Sequence, residues 1–109
     1  MRIISGIFKG RKILTPEDIK TRPLKDLAKE SIFNIISHSK KFKIDISEAF
    51  VLDLFSGIGS FGIECLSRGA KKVIFVENYS RALSILKKNL LNLKINQKYE
   101  IIEKDISKD

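Results

Sequence analysis

The sequence contains few residues that cross-link a chain or coordinate metal ions. Its 109 residues include one Cys, one His, two Pro and no Trp. A single thiol, that of Cys65, cannot close an internal disulfide, and the lone His38 leaves no cluster with the spacing of metal ligands. We therefore expect neither a disulfide framework nor a metal site.

Long hydrophobic runs are also absent. Charged residues interrupt every apolar stretch, and none approaches the roughly 20 residues that a membrane-spanning helix needs. The first six residues lack the apolar centre of a signal peptide. The sequence predicts a soluble, cytoplasmic protein without a membrane partner.

Acidic residues are outnumbered by basic ones. The chain has 21 Lys and Arg against 13 Asp and Glu, and residues 1–25 alone carry seven basic and two acidic side chains. Excess positive charge favours an anionic partner such as nucleic acid through counterion release. A Lys-rich composition that only keeps the surface soluble has the same charge, so charge alone leaves both interpretations open.

The N-terminal part reads as a basic hairpin followed by a helix. Short β-prone runs at residues 2–5 and 11–14 are separated by Gly6 and Gly10, which predicts the hairpin. Apolar residues at helical spacing then predict one amphipathic helix that fades near His38. The apolar positions of this helix are Leu24, Leu27, Ala28, Ile32, Ile35 and Ile36.

The rest of the chain alternates between strand and helix patterns. Strands are predicted at residues 50–54, 72–77 and 99–103. A short helix is predicted between the glycine-rich stretch 56–62 and Gly69, and a second helix over residues 79–93. The strands are continuously apolar, which is typical of a parallel sheet covered by helices. The sequence therefore predicts an α/β fold.

A glycine-rich motif lies between the first strand and its helix. Residues 57–62, GIGSFG, match G-x-G-x-x-G, and Glu77 ends the next strand. Such glycines let the backbone turn sharply and approach a ligand, and an acid at the second strand end can hold two ribose hydroxyls. The pattern predicts an adenosine-type cofactor without telling which one.

Asp53 helps to distinguish a dinucleotide from S-adenosylmethionine as the cofactor. It lies four residues before Gly57 at the carboxyl end of the first strand, where a carboxylate about 4 Å from a pyrophosphate would cost roughly 4 kcal/mol at an effective dielectric constant near 20. S-adenosylmethionine has a sulfonium and an α-ammonium and no phosphate, so an acid suits it. In the alternative interpretation, Asp53 only caps a turn and the glycines only pack the helix on the strand.

Several segments together resemble one family. These are VLDLFSGIGSFGIECLSRGA at residues 51–70, KKVIFVE at 71–77, MRIISG at 1–6, KGRK at 9–12, TRP at 21–23 and KESIFNI at 29–35. These segments resemble the corresponding segments of the RsmD family of small-subunit ribosomal RNA guanine-N2 methyltransferases and follow the same order along the chain. The resemblance implies part of a class I, Rossmann-like methyltransferase fold. It divides the chain into a basic hairpin and helix (1–46) and the first half of the methyltransferase domain (47–109).

The resemblance also implies roles for individual residues. Asp53, Gly57 and Gly59 would line the methionine end of S-adenosylmethionine, Glu77 would hold its ribose, and Asp105 would approach the adenine. Further cofactor-binding candidates are Arg22, from the segment that would close over the cofactor, and Asn78, next to Glu77. Phe55 and Phe61 flank the glycines and are equally consistent with lining the pocket and with core packing. The residues implied to contact the phosphates of ribosomal RNA, free or in a small-subunit particle, are Arg2, Lys9, Arg11 and Lys12.

The family's catalytic tetrapeptide is missing from this sequence. That motif is Asn- or Asp-Pro-Pro-aromatic, whereas the only prolines here are Pro16 and Pro23. We therefore predict no catalytic residue, and expect a truncated chain that binds cofactor at most. We also expect an unpaired edge on the first strand that favours self-association.

Two other functions stay open on the sequence alone. The first is an NAD(P)-binding oxidoreductase domain, which the glycine motif and Glu77 favour and Asp53 disfavours. The second is a basic RNA-binding module that keeps only the shell of a methyltransferase. Binding of NADH would identify the first, and salt-sensitive RNA binding without affinity for any adenosine cofactor would identify the second.

Overall fold

The fold alternates helices and strands along the chain. A computed structural model describes residues 1–15, 22–38, 45–54 and 56–104, with residues 22–27 described by their backbone alone. The elements are α1 (Arg22–His38), β1 (Phe50–Leu54), α2 (Ser60–Ser67), β2 (Lys72–Val76), α3 (Ser80–Leu93) and β3 (Lys98–Ile102). Within these described ranges, no helix is both long and apolar enough to span a membrane.

The three strands form one parallel sheet in the order β1-β2-β3. Asp53 lies opposite Phe75, which in turn lies opposite Ile101. Side chains alternate between the two faces of a strand, and the face that carries Phe75 is buried in the core together with Leu86 of α3. The predicted α/β fold with a parallel sheet is confirmed.

The opposite face of β1 is open in the part of the chain that the structure describes. Phe50, Leu52 and Leu54 alternate with the inward-facing residues and are 73%, 60% and 47% exposed. β1 pairs with β2 along one edge, and no described strand pairs with its other edge. This agrees with the unpaired edge that the sequence predicts.

Helix α1 forms where the sequence predicts it, but it buries a different face. Phe33 is completely buried and stacks on Phe61 of α2 at a ring distance of 5.0 Å. Ile32 and Ile35, which belong to the predicted apolar stripe, are 45% and 54% exposed. Lys29 lies on the buried face instead. Burial of its ammonium is possible because it forms an ion pair with the carboxylate of Glu64.

The predicted basic hairpin is present in a minimal form, which we call the N-terminal arm (residues 1–15). It has one antiparallel bridge, between Arg2 and Lys12. The backbone N–H of Ile3 donates to Arg11 O at 2.9 Å, and Ile3 and Ile13 are both buried. In the turn between the two bridged residues, the N–H groups of Ile7 and Phe8 donate to Ser67 O and Oγ of α2 at 2.8 and 3.0 Å and do not extend the bridge into a ladder.

Candidate functional site

The carboxyl ends of β1 and β2 lie side by side and carry the candidate site. Ser56, the residue before Gly57, joins them. Its N–H donates to Val76 O at 3.0 Å, its hydroxyl accepts from Val76 N–H at 3.0 Å, and the same hydroxyl donates to Asp53 O. The turn after β1 is thereby held against the end of β2. Ser56 is not among the residues predicted from the sequence, although a hydroxyl residue between a strand and a glycine turn often bonds to the backbone of that turn.

The two glycines of the glycine loop (residues 57–59) serve different purposes. Both have left-handed backbone angles, with φ of 58° at Gly57 and 92° at Gly59. A Cβ at Gly57 would have no described atom within 4 Å, whereas one at Gly59 would lie 2.4 Å from Leu86 Cδ1. Gly57 therefore leaves space in which a ligand can approach the backbone, and Gly59 is required for packing against α3.

Glu77 faces the glycine loop from the end of β2. Its Oε1 accepts from Gly57 N–H at 2.8 Å, and its Oε2 accepts from the N–H groups of Asn78 and Tyr79, both at 3.1 Å. The carboxylate is half-buried and Asn78 is exposed. The structure thus brings together Gly57, Glu77 and Asn78, three of the residues that the sequence assigns to the cofactor.

Asp53 is buried, with 8% of its surface exposed. Its Oδ2 accepts from Gly62 N–H at 3.1 Å, in the first turn of α2. Burial raises the pKa of Asp53 from 3.8 to about 6; bonds from Gly62 and Ser56 oppose the shift, and the negative charge of Glu77 adds to it. Asp53 therefore does cap a turn, and its carboxylate also lacks a positive partner among the described residues.

The remaining sequence candidates fall into three groups. Phe55 and Asp105 lie outside the described residues, and Arg22 begins α1 with only its backbone described. Phe61 packs in the core against Phe33. The four predicted RNA-contacting residues, Arg2, Lys9, Arg11 and Lys12, are all exposed on the N-terminal arm.

Three buried polar residues that sequence reasoning missed connect the arm to the α/β unit. Glu64 and Ser67 lie on α2 and Asn89 lies on α3, and each is at most 2% exposed. All three occur at positions that face the core. A polar residue within the apolar stripe of a helix is a signal for such a role, because a buried polar group needs a partner.

Glu64 has four partners and no exposed surface. It accepts from the backbone N–H groups of Ile4 at 2.9 Å and Ser5 at 3.0 Å, and it pairs with Lys29 at 3.2 Å and Arg68 at 2.9 Å. Burial alone would raise the pKa of Glu64. The bonds from Ile4 and Arg68, with the charge of Lys29, outweigh burial and hold the pKa below its ordinary value.

This architecture defines a class of proteins. A parallel sheet with a glycine loop after its first strand and an acid after its second is the first half of a Rossmann-like fold, which dinucleotide-binding domains and class I methyltransferases share. A solved structure from Escherichia coli, provisionally described as a methyltransferase, matches 96% of this chain and 52% of its own length, with 30% identity and a TM-score of 0.74. A Haemophilus influenzae protein provisionally described as a methylase matches 95% of the chain with 37% identity and a TM-score of 0.67.

The family follows from the sequence comparisons. The model of the family described as "Conserved hypothetical protein 95" matches residues 1–109, and the chain belongs to this family. Ribosomal RNA small subunit methyltransferase D of Haemophilus influenzae is 42% identical over 94 residues, which are 86% of this chain and 46% of that protein. Its Escherichia coli namesake is 36% identical over 94 residues, again 86% of this chain, and 44% of that protein.

These matches confirm the resemblance to the RsmD family. They do not favour the oxidoreductase or the non-enzymatic interpretation. The chain spans about half the length of the curated relatives it matches.

Proposed function

We propose that this chain is the S-adenosylmethionine-binding part of a cytoplasmic enzyme that methylates the exocyclic amine of a guanine in small-subunit ribosomal RNA. The observation that carries the proposal is the buried carboxylate of Asp53, which is 8% exposed and has no cationic partner among the described residues. It lies at the end of β1, next to the loop in which Gly57 N–H donates to Glu77 Oε1 at 2.8 Å. The names of the relatives support ribosomal RNA as the substrate.

The residues present fit this cofactor. The space beside Gly57 admits a ligand, and the carboxylate of Glu77 lies where it can accept hydrogen bonds from ribose hydroxyls. Asp53 is a buried acid whose raised pKa shows that its charge is poorly compensated. A cationic α-ammonium would compensate that charge, whereas a pyrophosphate would add repulsion. When bound, S-adenosylmethionine supplies an electrophilic methyl group.

The arm supplies an RNA-binding surface. Lys9 and Lys12 are exposed. Arg2 and Arg11 each give one N–H to a backbone carbonyl, at 2.8 Å to Gly10 O and 3.2 Å to Asn92 O, which holds their guanidinium groups in place. Basic groups of this kind contact phosphates and position the RNA without identifying a base. We assign no catalytic residue within this chain.

Titration of S-adenosylhomocysteine into the chain tests the cofactor site. We expect saturable binding, and we expect Asp53→Asn to weaken it by about tenfold, because the variant keeps an acceptor for Gly62 N–H but loses the charge that attracts the α-ammonium. Isothermal calorimetry gives both affinities. Asp45→Asn, at an exposed aspartate outside the site, is the matched control and should bind as the wild type does.

A parallel titration with NADH separates this function from its main rival. Saturable binding of NADH together with no response to S-adenosylhomocysteine, in a sample whose circular dichroism shows a folded chain, would contradict the proposal. Equal affinities of the wild type and Asp53→Asn would contradict the role of Asp53 alone.

A further inference from the structure

The N-terminal arm is held by the same buried side chains that contact the glycine loop and its helix. Asn89 of α3 shows this most directly. Its Oδ1 accepts from Leu14 N–H at 2.7 Å, and its Nδ2 donates to Leu14 O at 3.2 Å and to Ile58 O at 3.1 Å. Leu14 belongs to the arm and Ile58 lies between Gly57 and Gly59. One amide group therefore joins the arm to the loop.

A second connection begins at Glu64. This carboxylate holds the arm at Ile4 and Ser5 and pairs with Lys29 of α1. The ammonium of Lys29 also donates to Ser60 Oγ at 3.1 Å, and Ser60 is the first residue of α2, directly after the glycine loop. Both ends of the arm are thus connected to the segment where the cofactor is proposed to bind.

The connection reaches the backbone beside which the cofactor is proposed to bind. Gly57 and Gly59, on either side of Ile58, have positive φ, and the carbonyl of Ile58 between them accepts from Asn89. A ligand that shifts this carbonyl also shifts the amide of Asn89. Because this amide is 2% exposed, it cannot exchange these partners for water without leaving buried polar groups unpaired. A shift of the loop is therefore passed on to the arm.

We infer that Asn89, supported by Glu64, is a positioning residue that couples the two ligand sites. Cofactor bound at the glycine loop increases the affinity of the arm for RNA, and RNA bound to the arm increases the affinity for the cofactor. This inference rests on the proposed function, because it requires both ligands. Linkage makes the effect reciprocal, and coupling between sites typically changes affinity by about 5- to 150-fold.

The coupling is measured directly on the chain. The dissociation constant of S-adenosylhomocysteine is determined by calorimetry with and without a saturating short RNA hairpin. We expect the hairpin to tighten binding by at least about fivefold. In Asn89→Ala the ratio of the dissociation constants without and with the hairpin should fall to near one. In Asn96→Ala, which changes an exposed asparagine between α3 and β3, the ratio should stay at the wild-type value.

Trypsin provides a second readout that needs no variant and no RNA. The arm contains cleavage sites after Lys9, Arg11 and Lys12, and S-adenosylhomocysteine should slow cleavage at these sites in the wild type. The rate of arm cleavage, followed by mass spectrometry, tests the coupling even if Asn89→Ala fails to fold.

The outcomes separate this inference from the proposed function. If the wild type binds both ligands with a ratio of one and its arm is cut equally fast with and without S-adenosylhomocysteine, the coupling is wrong and the proposed function stands. If the wild type does not bind S-adenosylhomocysteine, both fail. If Asn96→Ala lowers the ratio to one as Asn89→Ala does, the coupling does not pass through Asn89.

Discussion

Two buried carboxylates of this protein have pKa values shifted in opposite directions. Burial raises the pKa of Asp53 to about 6, whereas bonds from Ile4 and Arg68 and the charge of Lys29 outweigh burial at Glu64 and lower its pKa. The difference is in the partners. Glu64 has two cations, while Asp53 has a backbone N–H and a negative neighbour, Glu77. A buried charge without a cation is typical of a site prepared for a cationic ligand.

The raised pKa of Asp53 predicts a pH-dependent stability. Between its ordinary value of 3.8 and about 6, the folded chain binds more protons at Asp53 than the unfolded chain does. This contribution to the free energy of unfolding therefore falls as pH rises through that window and is constant above it. Asp53→Asn removes the penalty, so at about pH 7.5 the variant should be more stable by up to about 3 kcal/mol.

Urea unfolding of both proteins at about pH 4 and pH 7.5 checks this prediction, since the gain should be present only at the higher pH. A variant that is less stable than the wild type at the higher pH would show that the negative charge of Asp53 stabilises the fold.

The affinity for the cofactor should also depend on the protonation of Asp53. Affinity for S-adenosylhomocysteine should fall below about pH 6, where Asp53 becomes protonated.

Glu64 should behave in the opposite sense. Its lowered pKa means that its contribution to stability is present above its ordinary value of 4.5 and is lost as pH falls through the lower, folded value. Glu64→Gln leaves Lys29 and Arg68 without their buried partner and should cost about 3 kcal/mol in chemical denaturation at neutral pH. Glu103→Gln breaks an exposed pair with Lys87 and should cost less than about 1 kcal/mol. Similar losses in the two variants would mean that burial does not strengthen the Glu64 network.

At the scale of elements, the short helix α2 joins the site to the sheet. It begins directly after the glycine loop, and its Gly62 lies against the ring of Phe75 on β2. A Cβ at Gly62 would be 2.3 Å from Phe75 Cε1 and 3.0 Å from Asp53 Oδ2. The close approach of α2 to the sheet therefore depends on the absence of a side chain at this position.

Gly62→Ala should consequently displace α2 and destabilise the protein by about 1 to 3 kcal/mol, because overpacking forces backbone shifts. The comparison is Gly57→Ala, where no described atom lies within 4 Å of the added Cβ and only the left-handed backbone costs roughly 1 kcal/mol. Thermal unfolding followed by circular dichroism measures both. A smaller loss for Gly62→Ala than for Gly57→Ala would show that α2 can move away from the sheet at little cost.

At the scale of the whole molecule, the open face of β1 leaves one side of the sheet uncovered among the described residues. Phe50, Leu52 and Leu54 expose apolar surface beside an edge that no described strand covers. Contiguous apolar patches and free edges promote association between chains. We therefore expect the chain to self-associate through β1 as its concentration rises.

Leu52→Lys should reduce this association, because a charge on an exposed strand opposes pairing between edges. Sedimentation velocity over a range of protein concentrations measures the effect. Leu91→Lys introduces the same charge at a residue of α3 that is 71% exposed, and it should leave the association unchanged. A monomeric wild type at all concentrations would contradict this expectation.

Local patterns in the sequence suffice to predict the order of strands and helices, the glycine loop and the acid at the end of the second strand. These features are local, because strand and helix periods and the backbone freedom of glycine are properties of neighbouring residues. The nearness of Glu77 to the glycine loop follows as well, since parallel strands bring their carboxyl ends to one edge of the sheet, whereas the hydrogen bond from Gly57 N–H to Glu77 is seen only in the folded chain.

Long-range contacts in the folded chain determine which polar residues hold the arm and which face of α1 is buried. Asn89 and Leu14 are 75 positions apart, and Glu64 and Ile4 are 60 apart. The residues that neighbour Asn89 and Glu64 in the sequence do not indicate these partners. Lys29 is buried and Ile32 is exposed on the same helix because the buried carboxylate of Glu64 stabilises an ammonium at that position. Such choices depend on partners that only the folded chain brings into contact.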